Sequence, residues 1–189
     1  EAAGRPGSFD SPVGGFFYGL RSPRATAFME AVTFLGDPRF LVVGVGLVCA
    51  GLLLREHRVS ALLFVGSVVG GFGLTSALKI AFARARPAAW PALVKETTYS
   101  FPSGHATMAT VFFGGLVAVV FHLYPSRAAR AVAACLAAAC VIGVAVSRVY
   151  LGAHWATDTF GGVLVGLFWV IVYAMGTEFL IMRRRPAGG

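Results

Sequence analysis

Acidic residues are scarce in this chain. Eight Asp and Glu stand against sixteen Lys and Arg, and all charged residues together make up only 13% of the sequence. A soluble domain carries about 25%, so a water-facing surface on every side is excluded. Cysteine is rare as well. Cys49, Cys135 and Cys140 all fall inside apolar runs, with no CxxC or Cys/His spacing. That excludes a disulfide framework and a zinc site and leaves three small buried hydrophobes. Internal repeats, low-complexity tracts and strand-type alternation are missing, which removes solenoid, linker and β architectures. No basic stripe with interleaved aromatics accompanies the net charge of +8, so nucleic acid is not an expected partner. The first eleven residues hold neither an initiator Met nor a basic segment followed by an apolar one. The expectation is a removed leader or a trimmed boundary.

What the chain has in quantity is apolar length: 57% of its residues are hydrophobic. The charges gather in short clusters between runs long enough to cross a bilayer. Residues 1–24, rich in Gly, Pro, Ser and Arg, read as a lead-in loop. Residues 25–35 read as a short helix on the membrane surface, stopped by Gly36-Asp37-Pro38. Spans follow at 40–54, 59–82, 106–123, 131–146 and 155–182. The first reaches ~22 Å at 1.5 Å per residue, short of a ~30 Å core. Gly66, Gly70, Gly71 and Gly73 offer close packing in the second, and the small residues of the fourth suit a bundle interior. The predicted fold is all-α: a polytopic transmembrane bundle of five spans plus a surface helix. It forms one domain over residues 25–185, with a tail at 186–189.

Span counting puts 79–103 and 147–154 on one side. The short basic turns at 55–58, 124–130 and 183–185 lie on the other. Basic turns mark the cytoplasmic face. With the site cations set aside, the balance places the first side outside an integral plasma-membrane protein.

The polar residues on that side carry the chemistry. Pro102-Ser103-Gly104-His105 precedes the third span, so Ser103, Gly104 and His105 occupy a helix cap and first turn. Unpaired backbone N–H groups and the positive end of the helix dipole bind phosphate there. Gly104 permits close backbone approach, Ser103 adds a hydroxyl, and His105 adds a proton donor or acceptor. The plainer reading is an ordinary cap, with Ser103 satisfying the helix and His105 idle at the interface.

Lys79 ends the second span, and Arg86 follows on a bend imposed by Pro87. Each could instead be a cation snorkelling toward headgroups. Arg148 ends the fourth span. His154 and Asp158, four apart at the start of the last, face the same way, so the carboxylate can orient the imidazole and raise its basicity. A helix-capping pair is the alternative. Three fixed cations and a helix N-terminus at one bundle mouth form a cradle for a phosphoryl group. Two histidines suggest one attacking phosphorus and one protonating the leaving oxygen.

In order and spacing these residues resemble the type 2 phosphatidic acid phosphatase family, the membrane lipid phosphate phosphatases. Lys79 to Arg86-Pro87, Pro102-Ser103-Gly104-His105, and Ser147-Arg148 with His154 and Asp158 match its three-part signature. Thr33-Phe34-Leu35-Gly36-Asp37 is similar to the family's stretch before a span. The resemblance implies a metal-independent phosphatase, without cofactor, that forms a phosphohistidine. By motif position His154 is the nucleophile, Asp158 its orienting partner and His105 the acid for the leaving group. Lys79, Arg86, Ser103, Gly104 and Arg148 would cradle the phosphate.

The family typically has six spans, which puts the missing one before residue 12. Expected partners are the bilayer and a membrane lipid phosphate substrate: polyprenyl diphosphate, phosphatidylglycerol phosphate or phosphatidate. Competing readings are a lipid phosphotransferase using the same intermediate, a vanadate-dependent haloperoxidase, and a non-catalytic headgroup-binding or transport module. A neutral nucleophile paired with a protonated acid predicts a bell-shaped rate profile.

Overall fold

The computed structural model describes residues 6–183. Seven helices run in the order α1 (Asp10–Gly19), α2 (Pro23–Phe34), α3 (Pro38–Leu54), α4 (Arg58–Phe82), α5 (Gly104–Leu123), α6 (Arg127–Tyr150) and α7 (Ala156–Arg183). No strand occurs among the described residues. The all-α bundle expected from the apolar runs is therefore the observed fold. Arg184, Arg185, the first five residues and the tail lie outside the described residues.

By length and composition α4, α5, α6 and residues 156–176 of α7 can each cross a membrane, and α2 with α3, bent by 44°, adds up to a fifth. The surface helix expected at 25–35 is thus one arm of this bent pair. Alone, the 17 residues of α3 reach only ~26 Å, short of a ~30 Å core. With α2 added, the pair is long and apolar enough by length and composition, and α2 packs on α6. Local chemistry sets where each arm begins. Ser22 caps α2 by accepting from Ala25 N, Asp37 caps α3 by accepting from Arg39 N, and a proline follows each cap. Proline is preorganised for the first helical position and ends whatever precedes it.

The lead-in is not all loop, since α1 occupies its middle. Pro12 sits in the first turn, where its missing N–H is tolerated. Gly14 is there for proximity: a Cβ on it would lie 2.1 Å from Trp90 Cζ2.

Helix α5 is the hub, touching α3, α4, α6 and α7. Its first half, from Ala106 through Phe112, is buried. Leu41, Phe64, Met108 and Phe112 form an apolar core cluster around it. Small residues on α7 allow the closest approach. A Cβ on Gly162 would lie 2.9 Å from Ser103 O, and one on Gly166 would lie 2.6 Å from Thr110 Cβ. That stripe brings the start of α7 against the start of α5, which is what the chemistry needs.

On α4, Gly66, Gly70 and Gly71 meet Tyr173, Trp169 and Val111, whereas Gly73 faces open space. Helix α6 is peripheral rather than interior. Val132, Leu136 and Ile142 are exposed, and continuous burial begins only at Ser147.

Candidate active site

Three chain reversals at one end of the bundle carry the polar residues. Helix α4 ends at Ala83, in the left-handed region (φ 43°), whose N–H donates to Lys79 O. The chain leaves the helix there, so Arg86 is off-helix, as Pro87 requires. Helix α6 ends in a Schellman motif: Ala153 N donates to Arg148 O at 3.1 Å and Gly152 N to Val149 O at 3.0 Å. Gly152 has φ +72°, a conformation that favours glycine. Two residues later His154 is buried, ahead of α7 rather than on it. The His154/Asp158 pairing is therefore made by a turn, not by one helix face. Ser103 is the N-cap of α5, with its carbonyl accepting from Thr107 N.

The cations expected to meet do meet, through shared acceptors. Lys79 Nζ donates to Tyr99 O, which also accepts from Arg86 Nη2 at 3.4 Å. Arg86 Nη2 lies 3.5 Å from Glu96 Oε2, while Arg148 Nη2 donates to Glu96 Oε1. Arg86 Nη1 donates to Ala153 O at 2.7 Å and lies 3.2 Å from His154 Nε2. One guanidinium thus touches both the imidazole and the anion held between the arginines. A cleft of about 610 Å³ opens beside it, lined in part by Lys79, Ile80, Arg86 and Thr98.

Asp158 is fully buried and densely held. It accepts from Arg84 Nη1 at 2.5 Å, from Trp155 N at 2.9 Å and from the Ser100 hydroxyl. Its Oδ2 is 3.7 Å from His154 Nδ1, and Ser100 Oγ is 3.4 Å from the same nitrogen. The carboxylate therefore faces Nδ1 and leaves Nε2 toward the cradle.

Burial, against the pull of Asp158, brings the His154 imidazole down to about 4. It is neutral at physiological pH. Burial likewise lowers Arg86 from its ordinary value. Burial pushes the Glu96 carboxyl up, but Arg148 and Arg86, followed by His105 and His154, overcome it and hold Glu96 below the usual carboxylate range.

His105 is half-buried in the first turn of α5. Gly36 passes directly over it, since a Cβ there would lie 2.9 Å from His105 O. At Gly104 a Cβ would meet only Lys79 Cε, at 3.7 Å, so protein packing does not demand glycine at that position. Ser103 does not behave as an ordinary cap. Its side chain makes no capping bond. Among the described residues, Ser103 Oγ and Arg148 Nε are the buried side-chain polar atoms without a hydrogen-bond partner. Buried polar groups are nearly always paired. Both of these belong to the set singled out as a phosphate cradle.

Several residues here escape sequence reasoning. Glu96, Ser100, Arg84 and Asp10 carry no spacing signal of their own, although Ser100 lies inside the stretch leading to His105. Thr33 accepts from Arg148 Nη1 at 3.1 Å. With Gly36 over His105 and Asp37 capping α3, it gives the Thr33–Asp37 stretch a physical meaning.

Residues 40–180 match the PAP2 superfamily. The chain belongs to the PAP2 superfamily. Phosphatidylglycerophosphatase B of Bacillus subtilis (strain 168) is 32% identical over 149 residues, covering 78% of this chain and 73% of that protein. Lipid A 1-phosphatase of Rhizobium etli is 31% identical over 194 residues, covering 88% and 78%. The crystal structure of a transmembrane PAP2 type phosphatidylglycerolphosphate phosphatase from Bacillus subtilis has a TM-score of 0.84 and 30% identity, over 94% of this chain and 88% of that one. The crystal structure of Aquifex aeolicus LpxE shares the fold at a TM-score of 0.70 and 20% identity, over 88% and 95%. In this PAP2 chain, Lys79, Arg86, Ser103, Gly104, His105, Arg148, His154 and Asp158 all fall within the matched residues.

Proposed function

We propose that this chain, a lipid phosphatase of the PAP2 superfamily, removes phosphate from a phosphatidylglycerophosphate-type lipid at the outer leaflet. The reaction runs through a phosphohistidine at His154, without metal or cofactor. The carrying observation is that Arg86 lies 3.2 Å from His154 Nε2 while it and Arg148 share one carboxylate, Glu96. A phosphate that takes the place of that carboxylate is delivered beside the imidazole.

In the first step the lone pair of His154 Nε2 attacks phosphorus. The N–P bond forms, the P–O bond to the lipid breaks, and His105 gives its proton to the leaving oxygen. Water then attacks phosphorus, His105 takes the water's proton, and the N–P bond breaks to release phosphate. Asp158 faces Nδ1 and stabilises the imidazolium that attack creates. Lys79, Arg86, Arg148, Ser103 Oγ and the N–H groups at the start of α5 meet the equatorial oxygens, where charge collects in the transition state. Arg86 must pass its N–H from Nε2 to a phosphate oxygen as attack begins, so substrate binding frees the nucleophile.

The substrate class is supported by the relatives from Bacillus subtilis, which carry phosphatidylglycerol phosphate in their names. The outer-leaflet assignment is supported by the basic turns opposite the site. The test is phosphate release by purified protein in chelator. The panel comprises phosphatidylglycerol phosphate, phosphatidate, a polyprenyl diphosphate and a lipid A 1-phosphate, and His154→Ala serves as the control. Turnover of the first substrate, abolished in the variant, is expected. No turnover of any substrate, or equal turnover in His154→Ala, overturns the proposal.

A further inference from the structure

Asp10 is a fully buried carboxylate on an N-terminal helix that otherwise has no part in the site. Its Oδ2 accepts from Arg84 Nη2 at 2.7 Å, and the same guanidinium donates through Nη1 to Asp158 Oδ1 at 2.5 Å. Asp10 is pinned in turn by Gly7 N at 2.7 Å, by Thr157 N at 2.9 Å, and by the Thr157 hydroxyl at 2.9 and 2.8 Å to its two oxygens. Two carboxylates thus share one guanidinium, 74 residues away from each of them in sequence.

From this geometry we infer that Asp10 and Arg84 are positioning residues that set the charge Asp158 presents to His154. The inference rests on the proposed nucleophilic role of His154. An Arg84 paired only with Asp158 would cancel the carboxylate that must stabilise the developing imidazolium. A second carboxylate on the same guanidinium leaves Asp10, Arg84 and Asp158 with a formal sum of −1. Arg84 still fixes the carboxylate's rotamer, so aim is kept without loss of charge. The other groups on Asp158, Ser100 Oγ and Trp155 N, are neutral donors and leave that sum unchanged.

Helix α1 does not depend on Asp10 alone for its place. Gly14 seats against Trp90, whose ring meets Tyr18 on one side and Trp155 on the other, each at 6.4 Å. Asp10→Asn keeps the shape and one acceptor oxygen toward Thr157 while removing the charge and the second acceptor, Oδ2, used by Gly7 N and Arg84 Nη2. Its kcat is expected to fall about tenfold, the order for losing a unit charge that acts across an intervening ion pair at moderate dielectric. KM should stay within about twofold, because the cradle is untouched. Asp10→Glu should recover most of the lost rate. Thr157→Val, which keeps every charge but loosens Asp10 and removes the hydroxyl that accepts from Arg84 Nη1 at 2.7 Å, should stay within about twofold of the parent in kcat.

The assay is steady-state turnover of the lipid phosphate per folded protein, with folding read by size exclusion and thermal unfolding. If Asp10→Asn matches the parent in kcat, or Thr157→Val falls as far as it does, Asp10 only anchors α1 and the inference is wrong. Should the asparagine form not fold, the glutamate and valine variants decide on the same criteria. A parent that does not turn over, or an active His154→Ala, instead indicts the catalytic reading itself.

Discussion

Replacing Ser103 by Ala should make the protein more stable and less active at once. The Ser103 side chain is fully buried and its hydroxyl has no hydrogen-bond partner. A buried hydroxyl left unpaired is destabilising by about 1–3 kcal/mol. Nothing offsets this in the substitution, because the side chain makes no capping bond and the backbone bonds to Asp158 O and from Thr107 N survive. Taking the low end, Ser103→Ala gains about 1 kcal/mol, which for a chain of this size raises the melting temperature by about 2–4 °C. Catalysis moves the other way. Loss of one preorganised donor to the transition state lowers kcat by about a hundredfold. Thermal unfolding of the ligand-free protein in detergent gives the first quantity, and phosphate release at saturating lipid gives the second. A variant that melts lower than the parent, or that keeps full activity, would show that the hydroxyl serves the fold and not the phosphate.

The acid limb of kcat/KM, corrected for the substrate's own second ionisation, should break near pH 4, because attack requires neutral His154 and burial brings that imidazole to about 4. A break near 6.5 would mean a solvated imidazole. The same group makes stability depend on pH: its contribution is complete above the unfolded value of about 6.5 and is lost as pH falls toward 4, since the unfolded chain binds the proton first. Ala83→Gly should stabilise the protein by about 0.5 kcal/mol. Relief of left-handed strain, about 1–2 kcal/mol, exceeds the entropy that glycine adds to the unfolded chain, about 0.4–1 kcal/mol. Unfolding midpoints of parent and variant decide it.

Span lengths and helix punctuation were legible before any coordinates, and the eight candidate site residues could be named there, because each is a local property. Apolar run length states what a bilayer can hold, prolines and glycines state where helices stop, and reactive side chains sit just beyond those stops. Even the break between α2 and α3 is written in Gly36-Asp37-Pro38. What stayed hidden is the choice of partners. Glu96 between Arg86 and Arg148, Ser100 on Asp158, and Asp10 on Arg84 join positions from ten to 74 residues apart with no periodicity between them. Such pairs become strong only once packing has stripped water from both charges, and small residues on α7 decide how closely the chain segments come together. A carboxylate's partner is therefore settled by the burial around it, and burial is a property of the folded bundle that no short stretch of residues contains.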